Sequence, residues 1–484
     1  RRLAAAQESV TPVSAEEAGC AAAQESGLEG ERGATATNPL AGRVTAFTAA
    51  CLLVSNMVGT GIFGTTGFMA ADLGSPGVIL ALWLLGGVFA LFGAFSYGEL
   101  AAAFPRSGGE YIYIREAYGP LWGFLSGWTS LTIGFSAAIA SSAHLFGDHV
   151  RELVPAFGAI GGSEASEGTP VIGLSMVWIL TLIHVAGVGA GGFTQRFLTV
   201  LKIAALVALV LLGVSFGTGD WQNLAASDVD VSFGLGTVLV AFMFVTFSFT
   251  GWNAATYIAG EVRTPQRSVP RSMVWGVLAV TVLYVALNAV YLYALPMSAL
   301  ASEPMDLVGH KTAWALFGPG AGRWFTLIVA VSIVGAASAM IWAGPRVYHA
   351  MAVDGLFPRA IGRTASRTGV PRNAIVLQGV WITVLVVSGT FETLVLYATF
   401  VLIFFSALAV SSVFVLRLRR PDLPRPYRVW AYPWISAAYL LVSVAILWAA
   451  LQIRPTESLW GVATVAAGIP VYLWMARSDE GRRD

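Results

Sequence analysis

Apolar blocks of about 17 to 25 residues recur along almost the whole chain, separated by short polar connections. A block of that length crosses a hydrocarbon core about 30 Å thick. In lipid the backbone must satisfy its own hydrogen bonds, so each block is expected to be a transmembrane helix. Composition agrees: 56% of the 484 residues are hydrophobic and only 11% charged, where a soluble domain carries about 25% charged residues. Twelve spans are expected, at about 46–70, 77–103, 119–146, 171–190, 195–216, 233–260, 272–295, 323–351, 373–389, 393–416, 433–452 and 457–476. The expected fold class is an all-α membrane domain over about 43–477, with a short tail at 478–484. Residues 1–42, rich in Ala, Glu, Ser and Gly, lack the basic start and short apolar core of a signal peptide and are expected to be a disordered tail.

Basic residues give the orientation. With a cytoplasmic N-terminus, 23 of the 28 Lys and Arg residues fall on the cytoplasmic side. Four fall opposite (Arg151, Lys311, Arg323 and Arg454), and Lys202 lies within a span. The excess of basic residues places both termini in the cytoplasm. The formal net charge is +1 with no concentrated basic patch, so nucleic acid is not an expected partner. The two cysteines, Cys20 and Cys51, suggest neither a disulfide nor a metal site.

Two spans are interrupted. The first contains Val54-Ser-Asn-Met-Val-Gly-Thr-Gly-Ile-Phe63, and Gly59, Thr60, Gly61 and Gly64 sit in its middle. Each glycine costs about 1 kcal/mol of helix propensity relative to alanine. The helix is therefore expected to unwind, which membrane proteins tolerate where backbone lines a cavity. Span 6 carries a second interruption, Phe247-Ser-Phe-Thr-Gly-Trp-Asn253, five spans later. An odd offset inverts the second block of five relative to the first, and paired breaks in inverted halves point to a transporter's substrate site. Close helix packing through glycine is the alternative.

The chemistry of such a site follows from its groups. N–H groups at Thr60, Gly61 and Ile62 begin a half-helix and suit a carboxylate. Carbonyls near Met57, and near Phe247 and Thr250, suit an ammonium. Together they would recognise the part that every α-amino acid shares. The substrate-binding set is Met57, Gly59, Thr60, Gly61, Ile62, Phe247, Ser248, Thr250, Trp252 and Asn253. No acidic residue is expected near either break to pair a cationic side chain. Trp252 and Asn253, with Thr132, Phe135 and Ser136 of span 3, favour a neutral substrate.

Lys202 lies about seven residues, or about 10 Å, into span 5. It either snorkels outward or marks a pathway or proton relay. Glu99 and Glu261 are expected to pair with Arg106, Arg263 or Arg271 in an inner gate. His184 and His144 are read as structural. The Arg417 to Arg428 cluster is a topology signal and a possible contact for anionic lipid.

Several stretches resemble the amino acid–polyamine–organocation superfamily, and within it the bacterial relatives of the L-type amino acid transporters. They are Val58-Gly-Thr-Gly-Ile-Phe63, Phe104-Pro-Arg-Ser-Gly-Gly-Glu-Tyr111 with Gly119-Pro-Leu-Trp-Gly-Phe-Leu-Ser-Gly-Trp128, and Gly251-Trp-Asn253 with Glu261-Val-Arg-Thr-Pro265. Arg346-Val-Tyr-His-Ala-Met351 with Asp354-Gly-Leu-Phe-Pro358, and Arg420-Pro-Asp-Leu-Pro-Arg-Pro-Tyr427, extend the likeness over about 43–476. The resemblance implies a leucine-transporter-type fold of twelve helices, with helices 1 and 6 broken. Inverted repeats fall at about 46–216 and 233–416, with two extra helices at about 433–476. It places Phe247 as the aromatic that closes over substrate on the extracellular side. It sets Lys202 beside the first break, where sodium-coupled members bind an ion. Proton symporters and exchangers both carry that lysine, so coupling stays open, with exchange favoured by the likeness to L-type members.

Animal L-type transporters are disulfide-linked to a single-pass glycoprotein through a cysteine between spans 3 and 4. The corresponding segment, 148–170, has none, so no disulfide-linked heavy chain is expected and a bacterial cytoplasmic (inner) membrane is the expected home. No cofactor is implied. A membrane enzyme would need converging His and Asp or paired carboxylates within the spans, and a channel a filter-like repeat or charged ring. A transporter-like amino acid sensor would share the site but normally adds a long signalling tail. The expected activity is alternating-access transport of neutral L-amino acids, by exchange or by proton symport.

Overall fold

The computed structural model describes residues 40–154, 156, 168–302, 307–389, 391–453 and 455–480. Most of the two expected tails, 1–39 and 481–484, lies outside these, as does Cys20. The described chain from Leu40 onward is one compact unit and almost wholly helical, its one extended pairing an isolated parallel bridge between Val44 and Val262.

The first expected span is two helices, α1 (Ala46–Met57) and α2 (Gly61–Leu73). Thr45 caps α1, its hydroxyl accepting from the Thr48 N–H at 3.2 Å. Helix α3 (Pro76–Ala103) begins with proline in its first turn, where the missing N–H is not needed. The short helix α4 (Glu110–Tyr118) follows, and then α5 (Pro120–Thr129), which passes through a π-type turn at Ser130–Gly134 into α6 (Ser136–Leu153). Helices α7 (Gly168–Ala186) and α8 (Val188–Phe216) complete the first half.

The second half repeats the interruption. Helix α9 (Leu235–Ser248) stops at mid-span, and the four-residue α10 (Ala254–Tyr257) resumes after a turn. Helices α11 (Pro265–Ala294), α12 (Met297–Ala301), α13 (Val308–Phe317), α14 (Pro319–Val353), α15 (Arg372–Ser388) and α16 (Phe391–Arg419) follow, then α17 (Trp434–Ile453) and α18 (Pro455–Glu480). Among the described residues ten helical runs are long and apolar enough to span a membrane. The expected spans at 233–260 and 373–389 contain shorter apolar helices, Leu235–Ser248 and Arg372–Ser388.

Small residues bring the long helices close. A methyl group on Gly87 of α3 would lie 2.3 Å from the Thr281 side chain of α11, and one on Gly127 of α5 would lie 2.1 Å from Met351 of α14. The outward faces are apolar: Phe197, Leu211, Trp275 and Leu441 are each more than half exposed. Such a surface suits lipid, not water.

Glu99 corrects an expectation. Its buried carboxylate meets Arg417 at 2.6 Å and Arg425 at 3.5 Å, and accepts from the Val429 N–H at 2.7 Å, instead of pairing with Arg106, Arg263 or Arg271. The segment after α16 folds back against α3, so partners more than 300 residues apart meet. Arg417 also lies over the Tyr432 ring, 3.7 Å from its centroid, and Arg420 reaches Glu116 at 2.7 Å. These arginines of the 417–428 cluster brace helix ends.

Candidate functional site between two helix breaks

Backbone geometry makes the site. At the end of α1 the Gly59 N–H turns back to the Met57 carbonyl at 2.8 Å, leaving the helical pattern. The N–H groups of Thr60, Gly61 and Ile62 then open α2 with no intrahelical acceptor. Opposite them, α9 ends at Ser248, and the turn through Gly251 has φ +93°, a left-handed conformation that favours glycine. Contact sets the same requirement, because a methyl on Gly251 would lie 2.6 Å from the Asn56 side chain. One on Gly61 would lie 2.5 Å from Ser248 Oγ. The breaks therefore touch, and Thr65 Oγ1 and Ser248 Oγ, 3.1 Å apart, tie them directly.

Two carbonyls expected to be free are engaged. Met57 O accepts from Gly59 N–H and, at 2.7 Å, from the Tyr284 hydroxyl. Phe247 O accepts from the Thr250 N–H at 2.9 Å and the Thr250 hydroxyl at 2.7 Å. Tyr284 on α11 also donates to Ser248 O at 3.0 Å, so one phenol pins both breaks. The Thr250 carbonyl accepts no hydrogen bond among the described residues and is the acceptor left for an ammonium group.

A cavity of about 180 Å³ lies between the breaks. Nine of the ten expected substrate-binding residues line it: Met57, Gly59, Thr60, Gly61, Phe247, Ser248, Thr250, Trp252 and Asn253. Ile62 does not; its side chain is fully buried in the core. From span 3 the cavity takes Phe135, with Ser130, Ser141 and Ser142. Thr132 and Ser136 fall outside it, and the Thr132 hydroxyl donates to Trp128 O at 2.9 Å within its own helix.

A second cavity, about 450 Å³, shares Thr60, Gly61 and Phe247 with the first and runs on toward His149, Glu152 and His310. Phe247 stands at the junction of the two. Glu261 and Arg346 line neither cavity and form a buried ion pair. Arg346 Nε donates to Glu261 Oε1 at 2.8 Å with both side chains buried, and Trp342 Nε1 approaches Glu261 at 3.4 Å. Glu261 thus pairs with Arg346 and not with Arg106, Arg263 or Arg271, because α14 carries its arginine across the bundle to the foot of α10. Val44 N–H donates to Glu261 O at 2.9 Å and Arg263 N–H to Val44 O at 2.8 Å, stitching the start of α1 onto the same point.

Lys202 is fully buried and does not snorkel. Its Nζ donates to Val58 O at 2.8 Å, Ser55 O at 3.0 Å and Ser332 O at 3.1 Å. Two acceptors belong to the unwound end of α1 and one to α14, so Lys202 stands behind the break and outside the cavity. His184 Nε2 lies 3.0 Å from Ser338 Oγ, a contact within the bundle. Cys51 is buried as a free thiol. No group of metal-binding side chains occurs among the described residues.

An acidic residue does reach the site. Glu110, 3% exposed, lines the cavity beside Asn253 and Tyr257, against the expectation that none would. It lies between two spans in sequence, but α4 folds back into the bundle. The signal was Gly108-Gly109, both at positive φ. A methyl on Gly109 would lie 2.4 Å from Tyr257, so only glycine lets this loop press against the second break.

Comparison with known proteins matches residues 44–473 to a family model described as amino acid permease. The serine/threonine exchanger SteT of Bacillus subtilis is 29% identical over 92% of this chain and 99% of its own length. The mouse b(0,+)-type amino acid transporter 1 is 26% identical, covering 87% of this chain and 85% of its own. The human large neutral amino acids transporter small subunit 2 is 27% identical, covering 87% and 78%.

Proposed function

The chain belongs to the amino acid permease family of integral membrane transporters, and from that premise we propose that it exchanges neutral L-amino acids by alternating access. One observation carries this reading. Thr60 and Gly61, whose N–H groups open α2, and Thr250, whose carbonyl accepts no hydrogen bond among the described residues, line a common cavity, a set that suits donors to a carboxylate and an acceptor to an ammonium. On this reading Phe247 is the outer gate and the Glu261–Arg346 pair the inner one. Lys202 holds the break of α1 to α14 in both states.

Small and uncharged side chains fit the rest of the wall, where Ser130, Ser141, Ser142, Asn253 and Ser406 stand among Phe135, Trp252 and Met340. The likeness to a serine/threonine exchanger points the same way. A bacterial cytoplasmic membrane with both termini in the cytoplasm fits the distribution of basic residues. The segment 148–170 holds no cysteine for a covalent partner chain.

The test uses the protein in liposomes with labelled serine, alanine and leucine outside. Exchange requires uptake into vesicles preloaded with unlabelled amino acid and little into empty ones. Uptake into empty vesicles driven by an inward proton gradient would replace exchange with proton symport.

A further inference from the structure

Resting on that reading, we propose that Glu110 is a proton-binding group of the transport site, and that its neutral form is the one competent to carry an uncharged amino acid. Three observations place it there. Glu110 lines the cavity beside the second break, it is buried, and it forms no ion pair among the described residues. Its one side-chain hydrogen bond among the described residues comes from the Tyr97 hydroxyl, at 2.9 Å to Oε2.

Among the described residues no unpaired cation stands beside it. The titratable groups facing Glu110 are Tyr97 of α3, Tyr113 of its own helix, Tyr257 of α10 and Tyr439 of α17. Helix α5 has no titratable residue in Pro120–Thr129. The nearby arginines are spoken for: Arg115 by Asp354 at 2.9 Å, Arg417 by Glu99 and Arg346 by Glu261. A lone carboxylate in such a place is strongly disfavoured and binds a proton instead. Burial pushes the Glu110 carboxyl up to about 7, with the Tyr97 hydroxyl pulling the other way.

Protonation changes what Glu110 offers. The ionised group can only accept hydrogen bonds, whereas the acid also donates. A donor beside Asn253 suits a substrate side chain bearing oxygen, while an anion there would be a buried charge with no partner when the substrate side chain is neutral. The same proton state serves both directions of exchange, so it sets competence and not driving force.

The sign is then fixed. The competent, protonated fraction is lost as pH rises through about 7, so serine exchange at equal pH on both sides should fall about fivefold from pH 7 to pH 8. E110Q, whose amide cannot ionise, should give a flat profile when normalised to its own maximum. Y97F removes the hydrogen bond that favours the ionised form and should move the wild-type midpoint to higher pH, which covers the case of E110Q failing to fold. A flat wild-type profile, an E110Q profile that follows the wild type, or an unmoved midpoint in Y97F would each overturn the assignment. So would lysine or arginine uptake that rises with pH and disappears in E110Q, which would make Glu110 the partner of a cationic side chain. Exchange intact with a flat profile sinks this proposal alone, whereas no amino acid movement at any pH sinks the reading it rests on.

Discussion

The Lys202 ammonium does what the chain around it cannot do for itself. Because Gly59 N–H turns to Met57 O, the carbonyls of Ser55 and Val58 lose their partners four residues on, and Lys202 Nζ takes both. Leaving a buried acceptor unmet costs about 1–3 kcal/mol, and α1 would lose its link to Ser332 of α14 as well. Lys202→Ala is expected to lower the exchange rate at least about tenfold, roughly 1.4 kcal/mol, while the detergent-solubilised protein still elutes as a folded species. Exchange close to wild type would remove Lys202 from the machinery. Gly61 admits an equally local test. A methyl there meets Ser248 Oγ at 2.5 Å and Ser248 Cβ at 2.9 Å, so Gly61→Ala should weaken labelled serine binding about tenfold or more. Adding Ser248→Gly removes both clashing atoms and should recover much of that loss, the coupling expected of residues in contact. Independent, additive effects would mean that the two breaks do not meet at this point. The burial of Lys202 was legible from one charge in an apolar run. Its acceptors were not, because which carbonyls are orphaned depends on how the break folds.

At the level of elements, the interrupted helices were readable because glycine and hydroxyl residues at mid-span contradict helix propensity twice, at corresponding places. The engaged carbonyls of Met57 and Phe247 were not readable. One is taken by Tyr284 from span 7 and the other by the side chain of Thr250, and neither bond has a sequence signature. Glu110 escaped for a related reason, lying in a connection that hydropathy assigns to the aqueous phase. The Glu261 end shows the same limit: Glu261 was read as a gate residue with a nearby arginine, yet its partner sits 85 positions away on α14. That pair, with the Val44–Glu261 backbone contact, holds α10, α14 and the start of α1 together. Removing one member of a buried pair strands the other, at a cost of about 3–5 kcal/mol. Arg346→Gln should therefore shift the population toward the state open at this end. Carried on a Cys20→Ser, Cys51→Ser background with Asn253→Cys as reporter, it should raise modification by a thiol reagent applied from the Glu261 side about tenfold. An unchanged rate would mean that the pair is structural ballast and not a latch.

For the whole molecule, orientation is the property on which every role above depends, since outer and inner gates exchange names if the bundle is upside down. It rests on the distribution of charge: basic loops are retained on the cytoplasmic side during insertion, and 23 of 28 basic residues fall on one side of the expected spans. The fold gives that asymmetry internal work. Arg346, Arg417, Arg420 and Arg425 make ion pairs at helix ends on the basic side, whereas the cavity that joins the site past Phe247 approaches Glu152 and His149. Two exposed positions report the two faces. Gln222 lies in the connection between α8 and α9, and Arg363 in the connection between α14 and α15. On the same cysteine-free background, Gln222→Cys should react with a membrane-impermeant maleimide in intact cells. Arg363→Cys should react only after the membrane is breached. Should Arg363→Cys label first, the large cavity would open to the cytoplasm, Glu261–Arg346 would become the outer latch, and Phe247 the inner gate.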